Sequence, residues 1–148
     1  MIGNRLKIFR NNKDLTQEDM AKILGVSRGH YGMWEIDKEI IPLKKLYLLC
    51  NYFNISMNFI IEKNTSYKES INNELNLLDI GNRLKQIRKE NNMSQKELAN
   101  FLGTTQSTIS AYEVGKTLIL TDFAVKTANT FNISLDYLCC RTDNEKRK

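Results

Sequence analysis

The chain has 148 residues, of which 41% are hydrophobic and 9% aromatic, and a formal net charge of +5. This apolar content argues against a disordered chain, and the seven glycines and single proline argue against a turn-rich β-sandwich. Because the sequence has no apolar run of about 18 residues and no secretory signal, we expect a cytoplasmic protein that is neither secreted nor inserted in a membrane.

The positive charge lies in two separate parts of the sequence. Residues 1–63 have a net charge of +3, residues 64–79 of −2, and residues 80–148 of +4. Two basic parts joined by an acidic connector favour a polyanionic partner, although many proteins of similar charge have none.

The sequence contains a long internal repeat. The hexapeptide IGNRLK occurs at residues 2–7 and 80–85, and the same offset of 78 residues aligns 2–64 with 80–142 without a gap. We therefore predict a duplicated domain. Its expected parts are a first domain at 1–63, a linker at 64–79, a second domain at 80–142 and a basic tail at 143–148.

The first copy is predicted to begin with two helices. The first runs to about residue 12 and places Leu6 and Phe9 on its inner face. Thr16 is the expected N-cap of a second helix over 17–24, and Gly25 is suited to the left-handed backbone that ends it.

Three further helices are predicted after Gly25. Ser27 is the expected N-cap of a helix over 28–36, in which Tyr31 and Trp34 would enter the core. Pro42 suits the first turn of a fourth helix, and Ser56 is the expected cap of a short fifth one. The second copy has the same plan, with predicted caps at Ser94, Thr105, Thr121 and Ser134.

Two stretches combine a capped helix, a glycine turn and a second capped helix within 20 residues, as in a helix-turn-helix. They are TQEDMAKILGVSRGHYGMWE and SQKELANFLGTTQSTISAYE. Both resemble the phage-repressor helix-turn-helix family, known as Cro/cI-like or XRE. The resemblance implies an all-α fold of two tandem five-helix lambda-repressor-like DNA-binding domains, joined by a short linker that could itself be helical.

The resemblance also implies which residues meet double-stranded DNA. Base contacts fall on Ser27, Arg28, Gly29 and Met33 in the first copy and on Thr105, Gln106, Ser107 and Ala111 in the second. Arginine suits guanine and glutamine suits adenine, so Arg28 and Gln106 would prefer different bases.

Phosphate contacts and internal ion pairs follow from the same resemblance. The expected phosphate contacts are Gln17, His30, Lys38, Gln95, Thr108 and Lys116. For His30 a merely solvated side chain is an equal alternative. The expected structural ion pairs are Arg10–Glu35 and Arg88–Glu113.

The first copy departs from the family pattern. Gly29 and Gly32 each disfavour the third helix by about 1 kcal/mol, and Asp37 stands where the second copy has Gly115. Either this helix becomes ordered on DNA, or the first copy binds a protein partner. Arg28, Lys38 and the pair Lys44–Lys45 favour DNA.

The predicted linker can just span two binding sites on DNA. Fully extended it reaches about 55 Å, whereas successive half-sites lie roughly 34 Å apart. A helix in the linker, capped by Ser70 with a stripe of Ile71, Leu75 and Leu78, could instead pack the domains together. It could also pair two chains, so that a homodimer would form through the linker or the last helices.

The leading hypothesis is a sequence-specific DNA-binding transcription regulator, most simply a repressor that occupies a promoter. The alternative is an antitoxin or anti-regulator in which one copy binds a protein. An enzyme is not expected because no catalytic constellation is present, and we expect no metal, cofactor or small-molecule ligand. Cys50 is predicted to be buried, and the role of the Cys139–Cys140 pair is left open.

Overall fold

The computed structural model describes residues 2–62 and 74–145. The chain divides into two compact units, Met1–Glu69 and Ser70–Lys148. Unit 1 contains α1 (Ile2–Asn12), α2 (Gln17–Leu24), α3 (Arg28–Glu35), α4 (Leu43–Phe53) and α5 (Met57–Ile61). Unit 2 contains α6 (Leu77–Glu90), α7 (Gln95–Leu102), α8 (Gln106–Glu113), α9 (Thr121–Thr130) and α10 (Leu135–Leu138). These ten helices within the described ranges confirm the predicted all-α fold.

The second helix of each unit begins with a reciprocal cap. The Thr16 hydroxyl accepts a hydrogen bond from the Asp19 amide at 3.1 Å, and the Thr16 amide donates to the Asp19 carboxylate at 2.8 Å. Ser94 and Glu97 make the same exchange at α7. Together with left-handed glycines at the ends of α2 and α7, these caps confirm the predicted boundaries.

Most of the other predicted caps are also confirmed. Side-chain caps begin α3, α5, α8 and α10 at Ser27, Ser56, Thr105 and Ser134. The prediction for Thr121 is wrong: this residue is the first of α9, Leu120 holds the N-cap position, and no side-chain cap forms there. Because Thr121 is buried, its side chain is not placed at the open end of the helix. Pro42 likewise holds the N-cap position of α4, one residue before the first turn.

Each unit has its own apolar core. In unit 1 the predicted core residues Leu6, Tyr31 and Trp34 are fully buried, and the ring of Phe9 packs edge-on against Phe53 with centroids 5.0 Å apart. In unit 2 the corresponding positions are filled by Leu84, Ile109 and Tyr112 among others. Cys50 is buried, as predicted.

The repeated hexapeptide contains a glycine that the fold requires. A Cβ on Gly3 would collide with the carbonyl oxygen of Trp34 and lie 2.7 Å from that of Glu35. A Cβ on Gly81 would collide with the Tyr112 oxygen in the same way. The first helix of each unit therefore crosses the end of the third at a distance that only glycine permits.

The hexapeptide also contains an arginine that holds the last helix. Arg5 Nη2 donates to the carbonyl oxygens of Phe59 at 2.7 Å and Glu62 at 3.0 Å. In unit 2, Arg83 Nη1 donates to the Tyr137 oxygen at 2.6 Å, and its guanidinium lies 4.0 Å from the centre of the Tyr137 ring. In both units the arginine thus adds a side-chain donor to backbone carbonyls at the end of the last helix.

The start of α6 differs from the prediction. Asn76 is the N-cap, its side-chain oxygen accepts from the Asp79 amide at 2.9 Å, and the helix begins at Leu77. Residues 74–76 are not helical, so a linker helix with Leu75 in its stripe is wrong over this part, and Leu78 is 52% exposed. The predicted Ser70 cap and Ile71 lie outside the described residues.

Candidate nucleic-acid interface

The first turns of α3 and α8 are held by caps and face solvent. The Ser27 hydroxyl accepts from the His30 amide at 3.1 Å, and the Thr105 hydroxyl accepts from the Thr108 amide at 3.2 Å. Thr105 Oγ1 also lies 2.9 Å from Thr108 Oγ1, so one of these two hydroxyls donates to the other. This arrangement leaves the Ser27 hydroxyl hydrogen, the hydrogen of the accepting threonine hydroxyl and the two threonine methyl groups for an external partner.

In unit 1 the predicted base-contacting residues lie on α3 and its N-cap, and in unit 2 they lie on α8 and its N-cap. Arg28 and Gln106 are the first residues of α3 and α8, and both are exposed, as are Gly29 and Ser107. Met33 and Ala111, one turn further along, are half-buried. In each unit the first turn of this helix is therefore exposed, and a half-buried apolar side chain, Met33 or Ala111, follows one turn later.

The third helix, α3, is formed over Arg28–Glu35 despite its glycines. A Cβ on Gly29 would meet no atom within 4 Å, and one on Gly32 would make only ordinary contacts with the Gln17 side chain, at 3.6 Å from Oε1. Neither glycine is thus required by packing within unit 1. The Gln17 amide lies beside the middle of α3, on the side that remains partly open.

An arginine, a glutamate and a glutamine form a bonded chain in each unit. Arg10 Nε donates to Glu35 Oε1 at 2.6 Å and Arg10 Nη2 to Glu35 Oε2 at 3.1 Å. The same Oε2 accepts from Gln17 Nε2 at 2.9 Å. The Glu35 side chain is only 1% exposed, so its charge is compensated by these donors rather than by water.

Unit 2 reproduces this chain with the corresponding residues. Arg88 Nε donates to Glu113 Oε1 at 2.5 Å, and Gln95 Nε2 donates to Glu113 Oε2 at 2.7 Å. Arg88 Nη2 donates to Glu113 Oε2 at 3.2 Å, and Arg88 Nη1 donates to the Met93 carbonyl at 2.8 Å, as Arg10 Nη1 donates to the Leu15 carbonyl in unit 1. The two expected ion pairs are therefore present. The glutamine–glutamate bond was not anticipated, although identical residues at the same spacing in both copies signal it.

The ionisation of Glu35 reflects two opposing effects. Burial raises the pKa of this carboxyl group, but the hydrogen bonds from Arg10 and Gln17 together lower the pKa by more than burial raises it, so the net shift is downward. Arg10 shows the complementary effect, since its bond to Glu35 raises the arginine pKa against the cost of burial. The pair is thus charged at neutral pH and ties α1 to α3.

The predicted phosphate-contacting lysines are exposed on the loops after α3 and α8. The backbone amide of Lys38 donates to the Met33 carbonyl at 3.0 Å, and that of Lys116 to the Ala111 carbonyl at 2.9 Å. These bonds fold the loop back on the helix, so that each lysine backbone has a defined position. Of the pair Lys44–Lys45, Lys45 is partly used inside unit 1, where Nζ donates to the Leu24 carbonyl at 2.6 Å.

His30 has a partner within unit 1. Its Nε2 atom lies 3.1 Å from a carboxylate oxygen of Glu39, and both side chains are about half exposed. A phosphate contact from His30 would therefore compete with Glu39. In unit 2 the corresponding residues are Thr108 and Thr117, which make no such pair.

Asp37 occupies the left-handed position at which the second copy has glycine. Its φ angle is 55°, against 75° at Gly115. The Asp37 carboxylate accepts a hydrogen bond from the Gly3 amide at 2.9 Å, which caps the start of α1 and offsets the backbone strain. In unit 2 packing requires glycine at this position, because a Cβ on Gly115 would lie 2.9 Å from backbone atoms of Leu78 in α6.

The remaining sequence features show no second site in the described ranges. Among residues 2–62 and 74–145, no group of three or more metal-binding side chains is close enough to hold an ion. Cys50, Cys139 and Cys140 form no disulfide, and burial raises the pKa of Cys140. Within the same ranges, no helix combines the length and apolar character that a membrane crossing needs.

Comparison with known proteins agrees with the geometry. The helix-turn-helix family matches twice, at residues 6–60 and 84–138. The chain is 40% identical over 62 residues to the SPbeta prophage-derived HTH-type transcriptional regulator YonR of Bacillus subtilis, covering 42% of this chain and 57% of that protein. It is 31% identical over 61 residues to the HTH-type transcriptional regulator YobD of the same organism, covering 41% and 54%.

A third relative has a different described role. The chain is 34% identical over 56 residues to the antitoxin PezA of Streptococcus pneumoniae, covering 38% of this chain and 35% of that protein. The chain thus spans about half the length, or less, of the curated relatives it matches. The two family matches together cover most of the sequence and confirm the expected XRE-type repeat, so the chain belongs to the helix-turn-helix family, as two tandem copies.

Proposed function

We propose that this protein is a sequence-specific regulator of transcription that binds double-stranded DNA and acts as a repressor by occupying a promoter in the cytoplasm. The main support for this proposal is that the same arrangement of helices and hydrogen bonds occurs in both units. In each unit a capped helix presents an exposed first turn, while a buried glutamate ties its far end to the first and second helices. Relatives named as transcriptional regulators support the same function.

The exposed residues suggest what each unit binds. Arg28 can make a bidentate contact with guanine in the major groove, whereas Gln106 suits adenine. Gln17, Gln95, Lys38 and Lys116 would contact phosphates and set the register of each helix. Because the two recognition helices differ in sequence, one chain would bind an asymmetric site.

Two linked units also explain how such small domains could bind tightly. Each unit offers few phosphate and base contacts, and linkage raises the effective concentration of the second unit to roughly millimolar. Because α6 begins at Leu77, the connector between the copies would reach about 50 Å when extended, which is enough for half-sites roughly 34 Å apart. A palindromic site would instead require a homodimer, formed through the linker or last helices, which sedimentation of the chain alone and with DNA would detect.

Selection of bound fragments from random duplex DNA tests the proposal. We expect an asymmetric site of two dissimilar halves, with binding that weakens steeply as salt rises. Arg28→Ala should relax preference in one half and Gln106→Ala in the other, each costing about 1–3 kcal/mol. Thr130→Ala, on an exposed part of α9, is the matched control and should change neither half.

Two outcomes would contradict the proposal or limit it. Selected fragments without any common sequence would exclude a sequence-specific regulator. A site of half the expected length, affected by Gln106→Ala alone, would mean that only unit 2 binds bases.

A protein-binding role for unit 1 is the second candidate. Leu48 and Tyr52 lie one turn apart on α4 and are 43% and 63% exposed, whereas unit 2 has Lys126 and Thr130 at these positions. The similarity to a protein named as an antitoxin points the same way. Substituting Leu48 and Tyr52 by Lys and Thr separates the two functions, because DNA binding should be retained while binding to a protein partner would be lost.

A further inference from the structure

We propose that Glu35 and Glu113 are positioning residues for DNA binding, which orient the side-chain amides of Gln17 and Gln95 so that each presents an N–H group to a phosphate. The inference rests on the proposed function. It assigns to the buried arginine–glutamate pair a role beyond holding two helices together.

A glutamine amide has two ends with opposite properties. Its nitrogen donates two hydrogen bonds, whereas its oxygen only accepts them. A phosphate only accepts hydrogen bonds at neutral pH, so a glutamine that turned its oxygen toward DNA would repel the backbone. Without a fixed neighbour the two orientations would differ little in energy.

The glutamate fixes this choice in both units. An ionised carboxylate has no hydrogen to donate, so only the nitrogen end of the glutamine can bond to it. The observed bonds are of this kind, at 2.9 Å for Gln17 with Glu35 and 2.7 Å for Gln95 with Glu113. One hydrogen of each amide nitrogen is thereby used, and the second remains on the same nitrogen.

The arginine holds the carboxylate in one orientation. Arg88 donates to both oxygens of Glu113, and Glu113 Oε2 accepts from Arg88 Nη2 at 3.2 Å as well as from Gln95. The Glu113 side chain is only 2% exposed, so water does not compete for these oxygens. The glutamine is therefore held by a rigid group rather than by a mobile surface residue.

The position of the glutamine makes its orientation matter. Gln17 and Gln95 are the first residues of α2 and α7, directly after the capping Thr16 and Ser94. The free backbone N–H groups of a helix start attract phosphate, and the oriented side-chain N–H adds a donor beside them. In unit 1 the amide also lies against the open side of α3, at Gly32.

A double-mutant cycle tests the inference on the full chain. Glu113→Gln, Gln95→Ala and the double variant are compared for binding to a mixed-sequence duplex over a series of salt concentrations. We expect Glu113→Gln to weaken binding about threefold to tenfold, even though it removes a negative charge. In the Gln95→Ala background it should cause no further loss, because it acts through Gln95.

The matched control removes the same charge elsewhere in unit 2. Glu74 is exposed, and Glu74→Gln should leave binding unchanged or strengthen it slightly, as a gain of net positive charge predicts. If Glu113→Gln strengthens binding as Glu74→Gln does, or if the losses in the cycle simply add, the inference is overturned. A wild-type chain that does not bind duplex DNA would instead refute the proposed function itself.

A measurement on the wild-type chain avoids any loss of folding in Glu113→Gln. The side-chain amide hydrogens of Gln17 and Gln95 can be followed by nuclear magnetic resonance during titration with the same duplex. One hydrogen of each amide should be hydrogen-bonded in the free protein and unaffected by DNA, while the other shifts on binding. Equal shifts of both hydrogens, or none in either, would overturn the inference.

Discussion

The backbone carbonyl oxygen of Trp34 occupies the space in which a side chain on Gly3 would begin. The contact joins the first turn of α1 to the last turn of α3, and it recurs in unit 2 between Gly81 and Tyr112. Because one partner is a backbone atom, no change of rotamer can make room. The third helix of each unit thus packs against a glycine more than thirty positions away in the sequence.

Gly3→Ala should therefore strongly destabilise unit 1. The added methyl group must push α1 and α3 apart, and we expect a loss of at least about 2–3 kcal/mol in the free energy of unfolding. Trp34 is the single tryptophan, so its fluorescence during urea denaturation reports on unit 1 alone.

The same unit provides the control. Gly29→Ala meets no atom within 4 Å and lies inside α3, so it should stabilise unit 1 by about 1 kcal/mol. Equal effects of the two substitutions would contradict the close crossing of α1 and α3.

Glu35 should make the free energy of unfolding of unit 1 depend on pH. Its pKa in the folded chain lies below its ordinary value, because the bonds from Arg10 and Gln17 outweigh burial. The unfolded chain therefore binds the proton more readily, so the pair stabilises the fold at neutral pH. This contribution should be lost as the pH falls below about 4.

Glu35→Gln separates this effect from general acid denaturation. The variant should lose about 3 kcal/mol at neutral pH, because a partly buried guanidinium is left without its counter-ion. The difference from wild type should shrink on acidification, as followed by Trp34 fluorescence at several pH values. A difference that stays constant from pH 7 to about pH 3 would argue against the role of this carboxylate.

The Asp37 carboxylate, which caps α1, should contribute to the stability of unit 1. Asp37→Ala loses both the bond from the Gly3 amide and a residue that tolerates left-handed backbone, and we expect a cost of about 2 kcal/mol. Asp37→Asn keeps an oxygen acceptor and should be nearly neutral. Asp14 has a similar φ angle of 54° and an exposed side chain, so Asp14→Ala measures the strain alone. In urea denaturation, an Asp37→Ala cost no larger than that of Asp14→Ala would mean that the Gly3 bond contributes nothing.

Lys38 and Lys116 should contribute to DNA binding through charge alone. Each substitution by alanine should weaken binding to all sequences alike and reduce the slope of log affinity against log salt by about one. Lys89, which is exposed near the end of α6, is the control and should leave the slope unchanged. An unchanged slope in Lys116→Ala would remove this residue from the proposed interface.

The local features of the fold could be predicted from the sequence. The offset of 78 residues revealed the duplication, and hydroxyl residues before polar helix starts marked Thr16, Ser27, Ser94 and Thr105 as caps. Such signals suffice because a cap depends on atoms three residues apart. Thr121 shows the limit, since a hydroxyl residue near a helix start is not a cap when the side chain is buried.

The relationships on which the candidate site depends were decided only by tertiary structure. The sequence shows that Gln95 and Glu113 recur in both copies, but not that the amide nitrogen of one meets the carboxylate of the other. It shows Gly3 in a repeated hexapeptide, but not the carbonyl oxygen that excludes a side chain there. The physical reason is distance along the chain: helix periodicity and caps are set by neighbours within one or two turns. The orientation of a glutamine or the spacing of two crossing helices is set only when remote segments pack against each other.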